Sequence, residues 1–217
     1  QGAHFFHNIT SFRVCYLTVH HGQRPGIAWD WLDAQPAERE LEHVRHARLA
    51  SPLMVKVDGS HGVGVVRRIT GGGAIYLDEG QLGWELVFHR ASLGIPALPD
   101  LAREICNAAA AGLNKLGIDA RFRPRNDIEV DGRKISGTGG FFDGDVLIYQ
   151  GTVLVDMSPE RMVKVLNIPE SKLAKRKLDS AAERVVTLKE LLGEELPSLD
   201  SIQQALIEGF SEGFGIS

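Results

Sequence analysis

Arg67 and Arg68 stand just before three consecutive glycines, Gly71, Gly72 and Gly73, with Thr70 between and Ala74, Ile75, Tyr76 and Asp78 following. Glycines without side chains allow positive φ and let backbone N–H groups approach a ligand closely. Guanidinium groups beside bare amides suit a phosphate or a carboxylate. The glycines alone favour a plainer reading, a flexible hairpin turn beside a surface arginine pair. A second stretch carries Arg125, Asn126, Asp127, Asp131, Gly132, Lys134, Ser136 and Gly137. Asp131-Gly132 is a strong signal for a two-residue turn, so this stretch is predicted to be a β-hairpin with Lys134 on its second strand. Taken alone, Lys134 is a strand lysine pointing into solvent.

The elements that must position these residues follow from local patterns. Residues 65–69 and 74–77 have the apolar and β-branched content of strands around the glycine turn. Residues 12–19 alternate like a strand, 27–35 have helix-like spacing, and 53–57, 82–88 and 145–155 read as strands. The clearest helix spans 99–116, with Leu101, Ile105, Ala108 and Gly112 near one face and Gly117 as its stop. Ser158-Pro159 opens a short helix, Thr187-x-x-Glu190 is a capping box, and Ser198 begins a last amphipathic helix. Strands, one long helix, more strands and then helices predict an α+β domain around a mostly antiparallel or mixed sheet. The whole chain, 1–217, is read as one domain, with no separate C-terminal accessory domain evident.

The two motifs, Arg-Arg-x-Thr-Gly-Gly-Gly-Ala-x-Tyr and Arg-Asn-Asp-x-x-Val-Asp-Gly-Arg-Lys-Ile-Ser-Gly, resemble the lipoate–protein ligase family of the biotin/lipoate A/B ligase superfamily. The resemblance covers residues 65–214 and implies a class-II synthetase or biotinyl-ligase-like sheet with packed helices. It implies ATP-dependent activation of lipoate or octanoate to an acyl-adenylate, followed by transfer to a lysine of a lipoyl-carrier domain. Lys134, by its match to the motif lysine, is then the ammonium between carboxylate and α-phosphate. Arg68 contacts the nucleotide or its phosphate, the glycines 71–73, Ala74, Ile75, Tyr76 and Asp78 line the adenylate, and Thr70 and Ser136 are either hydroxyl contacts or turn formers. Asn126, Asp127, Ser136 and Gly137 complete the set, with Asp127 as the Mg²⁺ ligand, an ion that takes one or two carboxylates plus phosphate oxygens. Leu77 and Gln150 depart from the family pattern, each standing where a histidine is common.

Two other readings stay open. One is ATP-independent octanoyl or lipoyl transfer through a cysteine, for which Cys15 and Cys106 lie away from the position used by related transferases. The other is a non-catalytic module that binds acyl-adenylate or carrier. A separately encoded accessory subunit is a further expectation.

Composition bounds the remaining choices. Apolar residues at 43% and charged residues at 24% are ordinary for a globular chain, and a net charge of −4 argues against a general nucleic-acid binder. Two cysteines make no disulfide framework or zinc pattern, which points to a reducing, cytoplasmic setting. No apolar run has transmembrane length. His43 and His46 lie at i, i+3, and without a third ligand in a recognisable pattern they read as a solvated face. Cys106, on the long helix, reads as a small buried apolar residue.

Overall fold

The structure, a computed structural model, describes residues 75–78, 80–89, 97–166 and 184–215, together with the backbone of 11–15, 17–18 and 28–29. Strands β1 (Ser11–Cys15), β4 (Gln81–His89), β5 (Arg121–Arg123), β6 (Asp127–Val130), β7 (Arg133–Asp143) and β8 (Val146–Leu154) form a sheet in the order β1-β4-β8-β7-β6-β5. Every neighbouring pair in it is antiparallel. Strands β2 (Leu17–Thr18) and β3 (Ala28–Trp29) form a separate short ribbon. The helices are α1 (Leu98–Asn114), α2 (Pro159–Val165), α3 (Leu188–Leu192) and α4 (Leu199–Phe214). This is the α+β architecture expected from the order of the elements.

Period-2 alternation decides which side chains meet the helices. Leu82, Trp84, Leu86 and Phe88 on β4 share a face with Leu147, Tyr149 and Val153 on β8 and with Ile128 and Val130 on β6. All of them enter one core with Leu101, Ile105 and Leu113 of α1 and Ile202, Leu206 and Phe210 of α4. The two helices cross at small residues. A Cβ placed on Gly209 would stand 2.4 Å from the Gly112 nitrogen and 2.5 Å from the Ala108 carbonyl oxygen, so only glycine permits this approach. The opposite face of the sheet carries Val87 and Ile148, with Phe141 and Val146 packed on them.

Local signals place most element ends where the sequence put them. Ser158, Thr187 and Ser198 each accept a hydrogen bond from the backbone N–H three residues on. Asp131 and Gly132 have φ of 50° and 77°, the left-handed pair that an Asp-Gly hairpin turn requires. Two expectations are corrected. Residues 75–78 form no regular strand: the Tyr76 carbonyl accepts from the Gln81 side chain (3.0 Å) instead of a ladder partner. Residues 28–29, within the stretch expected to be helical, pair as strand β3 with β2. The expected strands at 53–57 and 65–69 and the 38–49 segment with its two histidines lie outside the described residues.

Among the described residues no helix is long and apolar enough to cross a membrane.

Candidate functional site

The β6–β7 hairpin builds the site. Val130 pairs with Arg133, Glu129 with Lys134, Ile128 with Ser136 and Asp127 with Gly137. Ile135 is therefore an extra residue on β7, and the register shifts between Ile128 and Glu129. A bulge of this kind reverses the alternation beyond it. Without it, Lys134 and Gly137, three residues apart, would point to opposite faces. With it, Lys134, Gly137, Asp127 and Glu129 share the face away from α1 and α4.

Lys134 Nζ lies 2.6 Å from Asp127 Oδ1. It passes over Gly137, where a Cβ would stand 2.7 Å from Nζ and 2.8 Å from Cε, so glycine leaves the channel that the side chain occupies. The Lys134 side chain is 36% exposed and Asp127 22%, so the ammonium is held yet reachable by a ligand. Its backbone is fixed on the other side by residues 184–186. Lys134 N–H donates to the Arg184 carbonyl (2.7 Å), and its own carbonyl accepts from Val186 N–H (2.9 Å). That segment takes the place beside β7 that β8 has vacated, since the β7–β8 pairing runs no further than Ser136 with Val153.

Arg123, opposite Asp127 in the β5–β6 register, grips Asp127 Oδ2 at 2.9 Å and Glu129 Oε2 at 3.0 Å. The Asp127 hydrogen bond is the main reason the Arg123 guanidinium holds its proton more tightly than an ordinary arginine. Both oxygens of Asp127 are thus engaged by cations. A Mg²⁺ ion at this carboxylate would have to replace the lysine contact, so the residues present do not fit a preformed metal site. Among the described residues no group of three or more His, Cys, Asp or Glu is arranged to hold a metal.

The other expected site residues divide. Gly137 belongs to the Lys134 channel. Asn126 lies at the entrance to β6 and donates from its side chain to the Thr138 carbonyl, while its own carbonyl accepts from Thr138 N–H (3.0 Å) and Oγ1 (2.8 Å). Ser136 points to the helix side, fully buried and away from Lys134, with no partner for its hydroxyl among the described residues. Tyr76 is buried with Leu154, Met157 and Val165, and Val185, which bridges to Lys134, packs against the same cluster. One segment therefore touches both motifs. Burial, then a hydrogen bond to Asp78, pushes the Tyr76 hydroxyl up to about 12. Asp78 also accepts from Gly80 N–H at 3.0 Å, and Ile75 is 46% exposed. Arg68, Thr70, Gly71, Gly72, Gly73 and Ala74 lie outside the described residues.

Arg123, Glu129 and the 184–186 segment were not singled out by sequence reasoning. The alternating Arg-Phe-Arg and Asp-Ile-Glu of 121–123 and 127–129 is a signal that could have exposed the cross-strand charges.

Residues 44–211 match the family profile of the lipoyl protein ligase A/B catalytic domain. The chain belongs to this family. It is 31% identical over 130 residues to the probable lipoate-protein ligase A of Mycoplasma pneumoniae, covering 60% of this chain and 38% of the relative. It is 29% identical over 179 residues to the octanoyltransferase LipM of Kyrpidia tusciae, covering 72% of this chain and 65% of the relative. Among solved structures it resembles the bipartite lipoate protein ligase of Thermoplasma acidophilum, described with its E2 lipoyl domain. There the TM-score is 0.66 at 29% identity, over 75% of this chain and 64% of that one. A lipoate-protein ligase A bound with ATP gives 0.59 at 27% identity, over 71% and 60%. The chain spans well under half the length of the first curated ligases that it matches. Within the family's glycine motif and hairpin, the face that carries Lys134 is the candidate ligand face.

Proposed function

We propose that this chain activates lipoate or octanoate with ATP to an acyl-adenylate and passes the acyl group to a lysine of a lipoyl-carrier domain. The observation that carries this reading is the Lys134 ammonium, held on a bulged strand, half-exposed, and paired to the Asp127 carboxylate, which a ligand anion can replace. Joining a carboxylate to an α-phosphate requires two anions to meet, and a compact ammonium placed between them lowers the cost of that approach. The carboxylate oxygen attacks the α-phosphorus, pyrophosphate leaves, and the acceptor amine then displaces AMP from the acyl carbon. Lys134 leaves Asp127 to bridge the two anions, and Arg123 keeps Asp127 paired. Magnesium would enter with the nucleotide's phosphates, and no step here depends on Asp127 holding it.

The family, the ATP-bound relative and the bipartite ligase with its lipoyl domain support the reading. They also support a lipoyl-carrier domain as acceptor and a separately encoded subunit as a component of the system.

The likeness to an octanoyltransferase favours a second reading, transfer from an octanoyl carrier through a cysteine thioester. Cys106 does not suit it, because burial pushes its thiol up and its sulfur lies among Thr138 (3.5 Å) and Tyr149 (3.9 Å) in the core. The test is to supply lipoate or octanoate with Mg-ATP and measure pyrophosphate release and carrier mass. Release of pyrophosphate with a carrier gaining one acyl group supports the ligase. A covalent octanoyl-cysteine formed from octanoyl carrier without ATP would replace it with the transferase.

A further inference from the structure

We propose that Arg123 is a positioning residue that keeps the Lys134 ammonium available to an incoming anion, an inference that rests on the role given to Lys134 above. Four charges meet on this end of the sheet: Arg123, Asp127, Glu129 and Lys134. Lys134 contacts Asp127 and stands opposite Glu129 in the ladder, so two carboxylates flank one ammonium. Arg123 occupies the far oxygen of Asp127 at 2.9 Å and takes Glu129 at 3.0 Å, with a further bond to the Gly132 carbonyl at 3.3 Å. The four charges then balance.

Two consequences follow from removing the guanidinium. The patch gains a net negative charge and opposes a phosphate or carboxylate. Asp127, 22% exposed, would also lose the one other cation that meets it among the described residues, so the departure of Lys134 would leave a half-buried carboxylate without either of them. Arg123 therefore makes the exchange of Lys134 from Asp127 to a ligand inexpensive without itself touching the reacting atoms. A fork-shaped donor with two oxygens in reach on different residues suits that task better than a second lysine.

The experiment compares Arg123→Gln with Arg123→Gln/Glu129→Gln and with Arg103→Gln, an exposed control on α1. One arm measures pyrophosphate release from lipoate and Mg-ATP. The other measures the rate at which an amine-reactive ester labels Lys134, read by peptide mapping, and needs no turnover. Arg123→Gln is expected to lower both by about tenfold, the scale for one unit charge several ångströms away at this exposure. Glu129→Gln added to it recovers part of both, because it restores the balance of charge but puts no second cation on Asp127, and Arg103→Gln changes neither. Unchanged labelling in Arg123→Gln overturns the proposal, as does a loss that Glu129→Gln leaves undiminished. If Arg123→Gln does not fold, Glu129→Gln alone carries the test: faster labelling of Lys134 supports the proposal and an unchanged rate overturns it. A wild-type chain that releases no pyrophosphate sinks the ligase reading, while the labelling arm still decides the role of Arg123.

Discussion

Gly137→Ala separates the site from the fold. A Cβ on Gly137 would stand 2.7 Å from Lys134 Nζ and 2.8 Å from Cε, about 1 Å inside ordinary van der Waals contact. The third neighbour, Asp127 Oδ1, is at 4.0 Å, so only the end of a flexible side chain must move. Gly137 has no left-handed backbone angle that would penalise alanine. The half-exposed Lys134–Asp127 pair is worth less than about 1 kcal/mol. Alanine in place of a strand glycine returns roughly 0.5–1 kcal/mol. The two effects nearly cancel, and the melting temperature should stay within about 2 °C of wild type, at roughly 2–4 °C per kcal/mol for a chain of this size. The ammonium, however, is displaced by about 1 Å, an error that costs on the order of a hundredfold in a positioned catalytic group. ATP–pyrophosphate exchange and thermal unfolding followed by circular dichroism read the two quantities on one preparation. Exchange at the wild-type rate with alanine in place would refute the assignment of Lys134 to this position. A melting temperature lower by more than about 5 °C would show that Gly137 serves packing instead.

Three further outcomes are expected. Lys134→Ala should lower adenylate formation on the order of a hundredfold, as loss of one charge-stabilising donor does, while a preformed acyl-adenylate bypasses part of the defect; equal pyrophosphate release by both proteins would remove Lys134 from the mechanism. Gly209→Ala meets backbone atoms of Gly112 and Ala108, which cannot yield, so the helices must part; a loss of about 1–3 kcal/mol in urea unfolding is expected, with catalysis at low temperature little changed. The Tyr76 hydroxyl, raised by burial to about 12, holds its proton more tightly folded than unfolded. Its contribution is complete below pH 10 and is lost as pH rises from there through about 12. The fall in denaturation midpoint over that range should be shallower in Tyr76→Phe, and identical slopes would count against the buried placement.

Much of the architecture was decided by short stretches of sequence. Asp131-Gly132 sets a hairpin because only residues tolerant of positive φ make that turn. Ser158, Thr187 and Ser198 cap their helices with their own hydroxyls, an interaction spanning three residues. The spacing along 99–116 marks the face of α1 that meets the core. The paired motifs likewise marked the family and singled out Lys134. Such signals are readable because cause and effect lie within one or two turns of chain.

The use of these residues needed partners from elsewhere. Ser136 and Lys134, two apart on β7, would share a face in a regular strand. The extra residue Ile135 sends Ser136 into the core and turns Lys134 to the opposite face, the candidate ligand face. Asp127 was expected to meet a metal, and its neighbours on β5 and β7 engage both its oxygens with cations. Residues 184–186, some fifty positions along the chain, pin the Lys134 backbone. A strand's sequence records which side chains alternate, but the register against its neighbours determines which charges meet, and register is a property of the assembled sheet.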